Sequence, residues 1–534
     1  MRGAAWSVPV VTAASAAPAF ALRSPNCLPG DTFDGVGRGR ILTGNLLGLS
    51  LDEDRSGAEL VTLNGVTAQT PDGGTPNPSP EVPVEDTQNN NLSIGALGLL
   101  NVNLGGVTGP LADILDLPVN NDAGVYKQYG HVHQDGIQQG AAGYVTDDGS
   151  IRTDGSGSSG GMPTFATVDL RKILESDLIS ALPLVAPLLD ETTGVDALQL
   201  QVGAIAGLAE QLQNCDTDAE PTLVRDYLVA YLRAVVAPAD GSLVDDLVDA
   251  IASSALGLTI DTTGLTSTLS TLLNTLGLGG LVRVDPAVVS LTVDTTKITG
   301  SPLPAAEDSP IRLVFSESDA DLITLDLGSL VGGLSDLPPN TVLFRDAGTE
   351  PTVTNLTAFL DDLITELTER LLQAIQVTVT ARVRVLLINA NINISGSLAQ
   401  LRDGTGTVSL VGINLGPIAS ALMTAVYTVV KTALDTALKP NGAIFDLLVK
   451  DLLTGLVEPV LALLYGLLHI RLNAQNRPEA NDPSTGGFAQ PAYFDSLEWN
   501  RFDVAALHLS VLNFPQVLNL FLARGSVGPT TIRG

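Results

Sequence analysis

The segment from Leu356 to Val385 constrains this fold more than any other. Leu356, Phe359, Leu360, Leu363, Ile364, Leu367, Leu371 and Ile375 recur at helical spacing and mark one apolar helix face. Immediately afterwards Val377, Val379, Ala381, Val383 and Val385 alternate with Thr378, Thr380, Arg382 and Arg384. That period of two is the signature of a strand buried on one side, and it continues toward Ile394. Asp403-Gly404 marks a turn, after which Val408 to Leu415 is expected to pair back. Pro417 then opens a helix to about Leu438, and Ala443 to Ile470 supplies one or two more. Long helices alternate with long strands, so the expected class is α+β: an elongated, multi-lobed body of mixed antiparallel strands and long amphipathic helices.

The remainder of the chain is read by the same periods. Ile41 to Val66 reads as short strands separated by turns. Thr70 to Asn91, rich in Pro, Gly, Asn, Thr and acids, is expected to be a long surface loop, because it offers too little apolar surface to offset its ordering entropy. Leu92 to Val107 resumes aliphatic strand material, and Val125 to Ile151 carries turns at Asp135-Gly136 and Asp148-Gly149. A flexible run, Asp154 to Gly161, leads to a domain boundary near Thr164. Beyond it Leu198, Val202, Ile205, Leu208 and Leu212 fall on one helical face, as do Leu223, Tyr227, Leu228, Tyr231 and Val235, with Pro221 and Pro238 bounding the second helix. Leu243, Leu247, Val248 and Ile251, then Leu265, Leu269, Leu272 and Leu276, continue the habit, and strands return with Val282 to Val293 and Ile311 to Phe315. The expected organisation is residues 1–21 as a signal peptide, 22–163 as a β-rich region with a linker at 70–91, 164–280 as a helix-rich region, and 281–534 as a mixed α+β region.

Hydrophobic residues make up 45% of the chain and aromatics only 4%, so the core must be aliphatic. With 27 Lys and Arg against 58 Asp and Glu, the formal net charge is −31. Such a surface repels phosphate backbones, which argues against a nucleic-acid partner. It also keeps an aliphatic protein in solution. Arg2, the apolar stretch Ala4 to Ala17 and the small-x-small pattern Ala19-Phe20-Ala21 read as an export signal cleaved before Leu22. This stretch is too short to span a membrane, and no transmembrane segment is expected. The protein is therefore expected at the cell surface or outside the cell. Cys27 and Cys215 leave three alternatives: one disulfide, stabilising by at most ~5 kcal/mol in the chain-entropy model, two unpaired thiols, or one thiol used between chains.

No residue stands out as catalytic, cofactor-binding or metal-ligating. Gly157-Ser158-Ser159-Gly160-Gly161 has the letters of a nucleophile elbow but lies in a Ser/Gly linker, without the strand and helix that strain and expose the serine. His131 and His133 share a strand face but have no third ligand in view, so they read as surface histidines. Asp52-Glu53-Asp54 and Asp147-Asp148 lack the closing glutamate of a calcium loop. Three echoes, Thr167-Val168-Asp169-Leu170, Thr259-Ile260-Asp261 and Thr324-Leu325-Asp326-Leu327, each set an Asp where it can cap a helix. No zinc spacing, phosphate loop or dinucleotide fingerprint is present, and no cofactor is expected.

Gly39-Arg40-Ile41-Leu42-Thr43-Gly44, Leu60 to Val66, Gly143 to Ile151, Ala505 to Val511, and Ala523-Arg524-Gly525-Ser526-Val527-Gly528-Pro529 form a set of stretches spread along the chain. Together they resemble the choice-of-anchor G family of actinobacterial surface proteins. The resemblance implies an exported ectodomain joined to an anchor and implies no catalytic residues. This sequence departs from the pattern in showing no LPxTG-like sorting motif or apolar tail. The expected function is that of a non-enzymatic surface or wall-associated structural and interaction protein, adhesin-like, whose cell-envelope or extracellular partner the sequence does not name. The alternative is an extracellular carrier of lipid or other apolar ligands, held between the helices and strands of Phe359 to Leu438. An apolar cavity of roughly 300 to 1,000 Å³ would favour the carrier, and a solid core the scaffold.

Overall fold

The computed structural model describes residues 32–46, 49–51, 66–69, 85–91, 101–103, 108–110, 114–116, 126–152, 166–177, 179–183, 185–190, 195–213, 222–238, 243–276, 282–306, 309–314, 322–346, 348–349, 353–385, 388–411, 413–416, 418–448, 457–476, 501–511 and 517–533. Among the described residues strands take about 46% and helices about 29%, a mix of α and antiparallel β as the sequence leads one to expect. Along the chain run strands β1 (Val36–Leu46), β2 (Glu85–Asn91), β3 (Lys127–His133), β4 (Ile137–Gly143), β5 (Val195–Leu212), β6 (Thr222–Pro238), β7 (Arg283–Val284), β8 (Val288–Val293), β9 (Ile375–Val385), β10 (Ile388–Ser397), β11 (Thr407–Leu410), β12 (Leu468–Gln475), β13 (Phe502–Val511) and β14 (Leu518–Val527). The main helices are α1 (Leu243–Leu256), α2 (Thr262–Asn274), α3 (Val353–Ala374) and α4 (Ala419–Leu438). Shorter elements lie between them.

The chain divides into two compact units. The first combines residues 1–236, 325–352 and 462–534; the second combines 237–324 and 353–461. These units cut across the three regions read from the sequence, because strands far apart in the chain complete the same sheets.

In the first unit one sheet runs β12-β13-β14-β1, and a second runs β6-β5-β4-β3-β2. Strands β1 and β14 pair antiparallel from Gly37↔Val527 to Leu46↔Leu518. The sheets touch backbone to backbone. A Cβ added at Gly39 would fall on the carbonyl oxygens of Ala141 and Tyr129, and one at Gly140 on those of Ser526 and Arg38, well inside the 3.0 Å that real side-chain carbons respect. Only glycine permits such an approach, so the local spacing is well under the ~10 Å of sheets separated by side chains. Buried glutamines tie the layers. The pairing of β1 with β14 passes from Arg40↔Arg524 to Leu42↔Leu522, with Ala523 at φ +53°. The Ile41 N–H donates instead to Gln128 Oε1 at 3.0 Å. The Gly528 N–H, which donates to the Val36 carbonyl at 2.8 Å, also reaches Gln138 Oε1 at 3.1 Å.

In the second unit β9 lies between β7 and β10, β10 pairs β11, and β8 pairs β9 beyond β7. Helix α3 runs directly into β9, as the change of period foretells. Val377, Val379, Ala381 and Val383 are buried on the face where α3 packs, and Leu363, Leu367 and Leu371 of α3 are fully buried. In α4 the stripe Leu422, Val426, Val430 and Leu434 is fully buried. The run Ala419–Leu447 is long and apolar enough to cross a membrane by length and composition, a test that core helices also pass.

Four expectations are corrected. Leu198 to Leu212 and Leu223 to Val235 are strands β5 and β6, not helices, so 164–280 is not a helix-rich region; its helices of ordinary length are α1 and α2. Both strands bury residues on their two faces, and a near-continuous apolar run contains a helical subset by accident. Within the expected loop 70–91, Glu85–Asn91 is strand β2, paired with β3 from Glu85↔His133 to Asn91↔Lys127. Its polar residues suit an edge strand. Ala443 to Ile470 supplies two helices among the described residues, Ala443–Leu447 and Glu458–Gly466, as expected, but its end differs, since β12 begins at Leu468. Finally, the return strand expected over Val408 to Leu415 is shorter, ending at Leu410.

Candidate functional site

The three echoing aspartates are helix caps. Asp169 accepts from the Lys172 N–H at 3.1 Å, Asp261 from Gly264 at 2.8 Å and Asp326 from Ser329 at 2.9 Å. In each case the carboxylate satisfies a first-turn donor that the helix leaves unpaired. Burial raises the pKa of Asp169 and Asp326, and the same N–H bonds oppose that rise.

His131 and His133 lie on β3, half-buried. His131 Nδ1 meets Thr87 Oγ1 at 2.9 Å and Glu85 at 3.6 Å, while His133 Nδ1 meets Asp135 at 2.5 Å. Each imidazole thus turns to its own polar neighbours. Asp147 pairs with Lys127, and Asp148 accepts from Thr146 Oγ1 within its own turn, which with the Ser150 N–H holds its pKa low. No cluster of three or more His, Cys, Asp or Glu suited to a metal occurs among the described residues. Asp52-Glu53-Asp54, the Gly157 to Gly161 stretch, residues 1–21, Cys27 and Cys215 lie outside the described residues.

A dense ionisable group that sequence reading did not assemble lies inside the sheet β12-β13-β14-β1. Asp503 on β13 is fully buried. Its Oδ1 accepts from Arg524 Nε at 2.8 Å and Arg501 Nη2 at 3.2 Å, and from the Ser526 hydroxyl. Arg524 also reaches Thr43 Oγ1 of β1 at 3.3 Å and lies 5.2 Å from the centre of the Phe521 ring. That ring stacks at 4.4 Å on His508. Arg471 Nη1 of β12 donates to His508 Nδ1 at 2.6 Å, and His508 Nε2 meets Asn519 Oδ1 at 2.7 Å. Because a guanidinium only donates and a carbonyl oxygen only accepts, His508 is the neutral tautomer with its proton on Nε2.

Electrostatics agree with that assignment. Burial, and then the Arg471 charge, push the His508 pKa from 6.5 down to about 3. Neighbouring His469 is lowered to about 4 by burial and then by Arg345 and Arg471. Burial alone would raise Asp503, but Arg501 and Arg524 outweigh it and hold the carboxyl well below the usual range. A general base must reach solvent or substrate. Here both nitrogens of His508 are engaged, and Asp503 is locked beneath two guanidiniums. The arrangement joins four strands by charge-assisted bonds in a low-dielectric interior.

Sequence reading missed this group because its members are scattered over Thr43, Arg471 and residues 501–526. The available signal was Asp503, His508, Arg524 and Ser526 interrupting otherwise apolar strands. A separate feature belongs to the second unit: an open cleft of about 460 Å³ lined by Leu256, Leu258, Ile260, Thr262, Val289 and Leu291.

Fold and site together define an antiparallel α+β protein with glycine-packed sheets and an enclosed charge network. Residues 37–528 match the family described as a domain of unknown function, DUF8394, and the chain belongs to that family. Neither a curated protein nor a solved structure matches the chain.

Proposed function

We propose that this protein is an exported, non-enzymatic structural and interaction protein of the cell surface or wall, adhesin-like in its use of the exterior. The observation that carries the proposal is the buried group in which Asp503 pairs with Arg524 and Arg501 and His508 with Arg471, the two sets meeting at the Phe521 ring. Charge in that position rigidifies a framework. The export signal ending at Ala21 and the resemblance to actinobacterial choice-of-anchor G proteins support the compartment. Fractionation into wall, membrane, medium and cytosol, with the mature N-terminus determined, tests it. A chain beginning at Leu22 and found outside the membrane is expected; full-length protein from Met1 in the cytosol overturns the proposal.

A second reading, a carrier of apolar ligands, is favoured by the 460 Å³ cleft at Leu256 to Leu291, a volume within the usual range for small-ligand sites. The cleft is not where the sequence placed a groove, since the facing residues of α3 and β9 are closed into core. On this reading a fluorescent aliphatic probe binds the purified protein, and Leu291→Arg weakens it about tenfold, roughly the loss of one or two buried methylene contacts at an open cleft. Identical affinity in the variant removes the carrier reading.

A further inference from the structure

The second unit carries a sheet face unlike the rest of this acidic chain. Strands β7 to β11 contain no Asp or Glu, although the chain has 58 such residues in 534. The side of the sheet away from the aliphatic core exposes Arg283, Arg382, Arg384, Asn389 and Asn391. Register places them together: Arg283 lies directly opposite Arg384, Arg384 opposite Asn389, and Arg382 opposite Asn391. Like charges directly opposite one another destabilise a sheet. The half-buried Asp285 offsets part of this, meeting Arg384 at 2.7 Å. Arg283 and Arg382 make no ion pair among the described residues. Further along, the same face continues with Thr378, Asn393 and Ser409, a hydroxyl and amide surface with donors and acceptors in rows.

We propose that this face binds an acidic polysaccharide in which carboxylated sugars alternate with neutral ones. Guanidinium forks match carboxylates in bidentate geometry, and the Asn and Thr rows match the hydroxyls between them. Three arginines suit sparse carboxylates. A densely charged phosphate polymer would instead meet the repulsion of a −31 chain. The strands of this face contain no aromatic residue on which bases could stack. The choice of ligand rests on the extracellular reading above, but binding by the purified full-length chain is measured independently of where cells place it.

The test is titration calorimetry with hyaluronan oligosaccharides, which carry one carboxylate per two sugars, against neutral dextran and polyglutamate. Hyaluronan is expected to bind and the other two polymers not. The double variant Arg283→Gln/Arg382→Gln is expected to lose about tenfold or more in affinity, and Asn391→Ala about threefold, as charged and neutral hydrogen bonds differ in strength. Arg382→Lys, which keeps the charge but not the fork, should also weaken binding about threefold. Circular dichroism confirms that each variant folds, and Asn393→Ala with Thr378→Ala provides a second, uncharged route into the face should the double variant fail. Three results overturn the proposal: equal binding of dextran, equal binding of polyglutamate, or salt-sensitive self-association through the same arginines without hyaluronan binding.

Discussion

His508 makes acid the natural stress for this protein. Its native pKa lies at about 3, against 6.5 for the free side chain. Between those values the unfolded chain takes up a proton that the native imidazole refuses, so stability falls as pH drops from 6.5 toward 3, by about 1.4 kcal/mol per pH unit for this group. Asp503 acts in the same direction at lower pH, because its native pKa is also depressed and its contribution disappears as the pH falls through that value. Hydrogen exchange of β13 and β14 amides at pH 7.5 and 5 should show the loss, and His508→Gln should flatten it by about one proton. An unchanged slope would remove His508 as its source. Asp503→Ala leaves Arg501 and Arg524 without their carboxylate and should cost about 3–5 kcal/mol, read by urea denaturation. The Asp169, Asp261 and Asp326 caps were legible in the sequence because capping is decided within four residues. The Asp503 group was not, because its partners come from three further strands.

At the scale of elements, pattern succeeded where one face is wet. Helix α3 and strand β9 were readable because polar residues mark their outer sides. In α2 Leu265 and Leu269 are buried as expected, while in the last turn Leu273 is the buried residue and the expected Leu272 is half-buried. Strands β5 and β6 defeated the same reading, since burial on both faces erases alternation. Nor does any local pattern announce that Gly39 and Gly140 bring two sheets into backbone contact. That contact yields its own prediction: Gly39→Ala and Gly140→Ala should each destabilise the first unit by about 1–3 kcal/mol or prevent its folding. Gly332→Ala, where space is open and only φ is unfavourable, should cost about 1 kcal/mol. Thermal melts of the three variants compare them directly; equal shifts would show that the sheets can part at little cost.

Across the whole molecule, neither unit is a continuous piece of chain. Calorimetry should therefore be analysed with more than one transition, as a single two-state fit is justified only for a lone cooperative unit. The stable part of the first unit is expected to require both β1 and β14. Removing residues 518–533 should abolish protection of β1 amides, because β14 is their ladder partner.

The pairing of β1 with β14 also imposes an order in time. Arg38 and Gly528, joined by a 2.7 Å bond, are separated by 490 positions. Such a ladder waits for almost the entire chain to be synthesised, and long-range strand pairing is slow even then. Until β14 emerges, the β1 backbone groups that it will satisfy stay unpaired, so closing this ladder is among the last events in building the first unit.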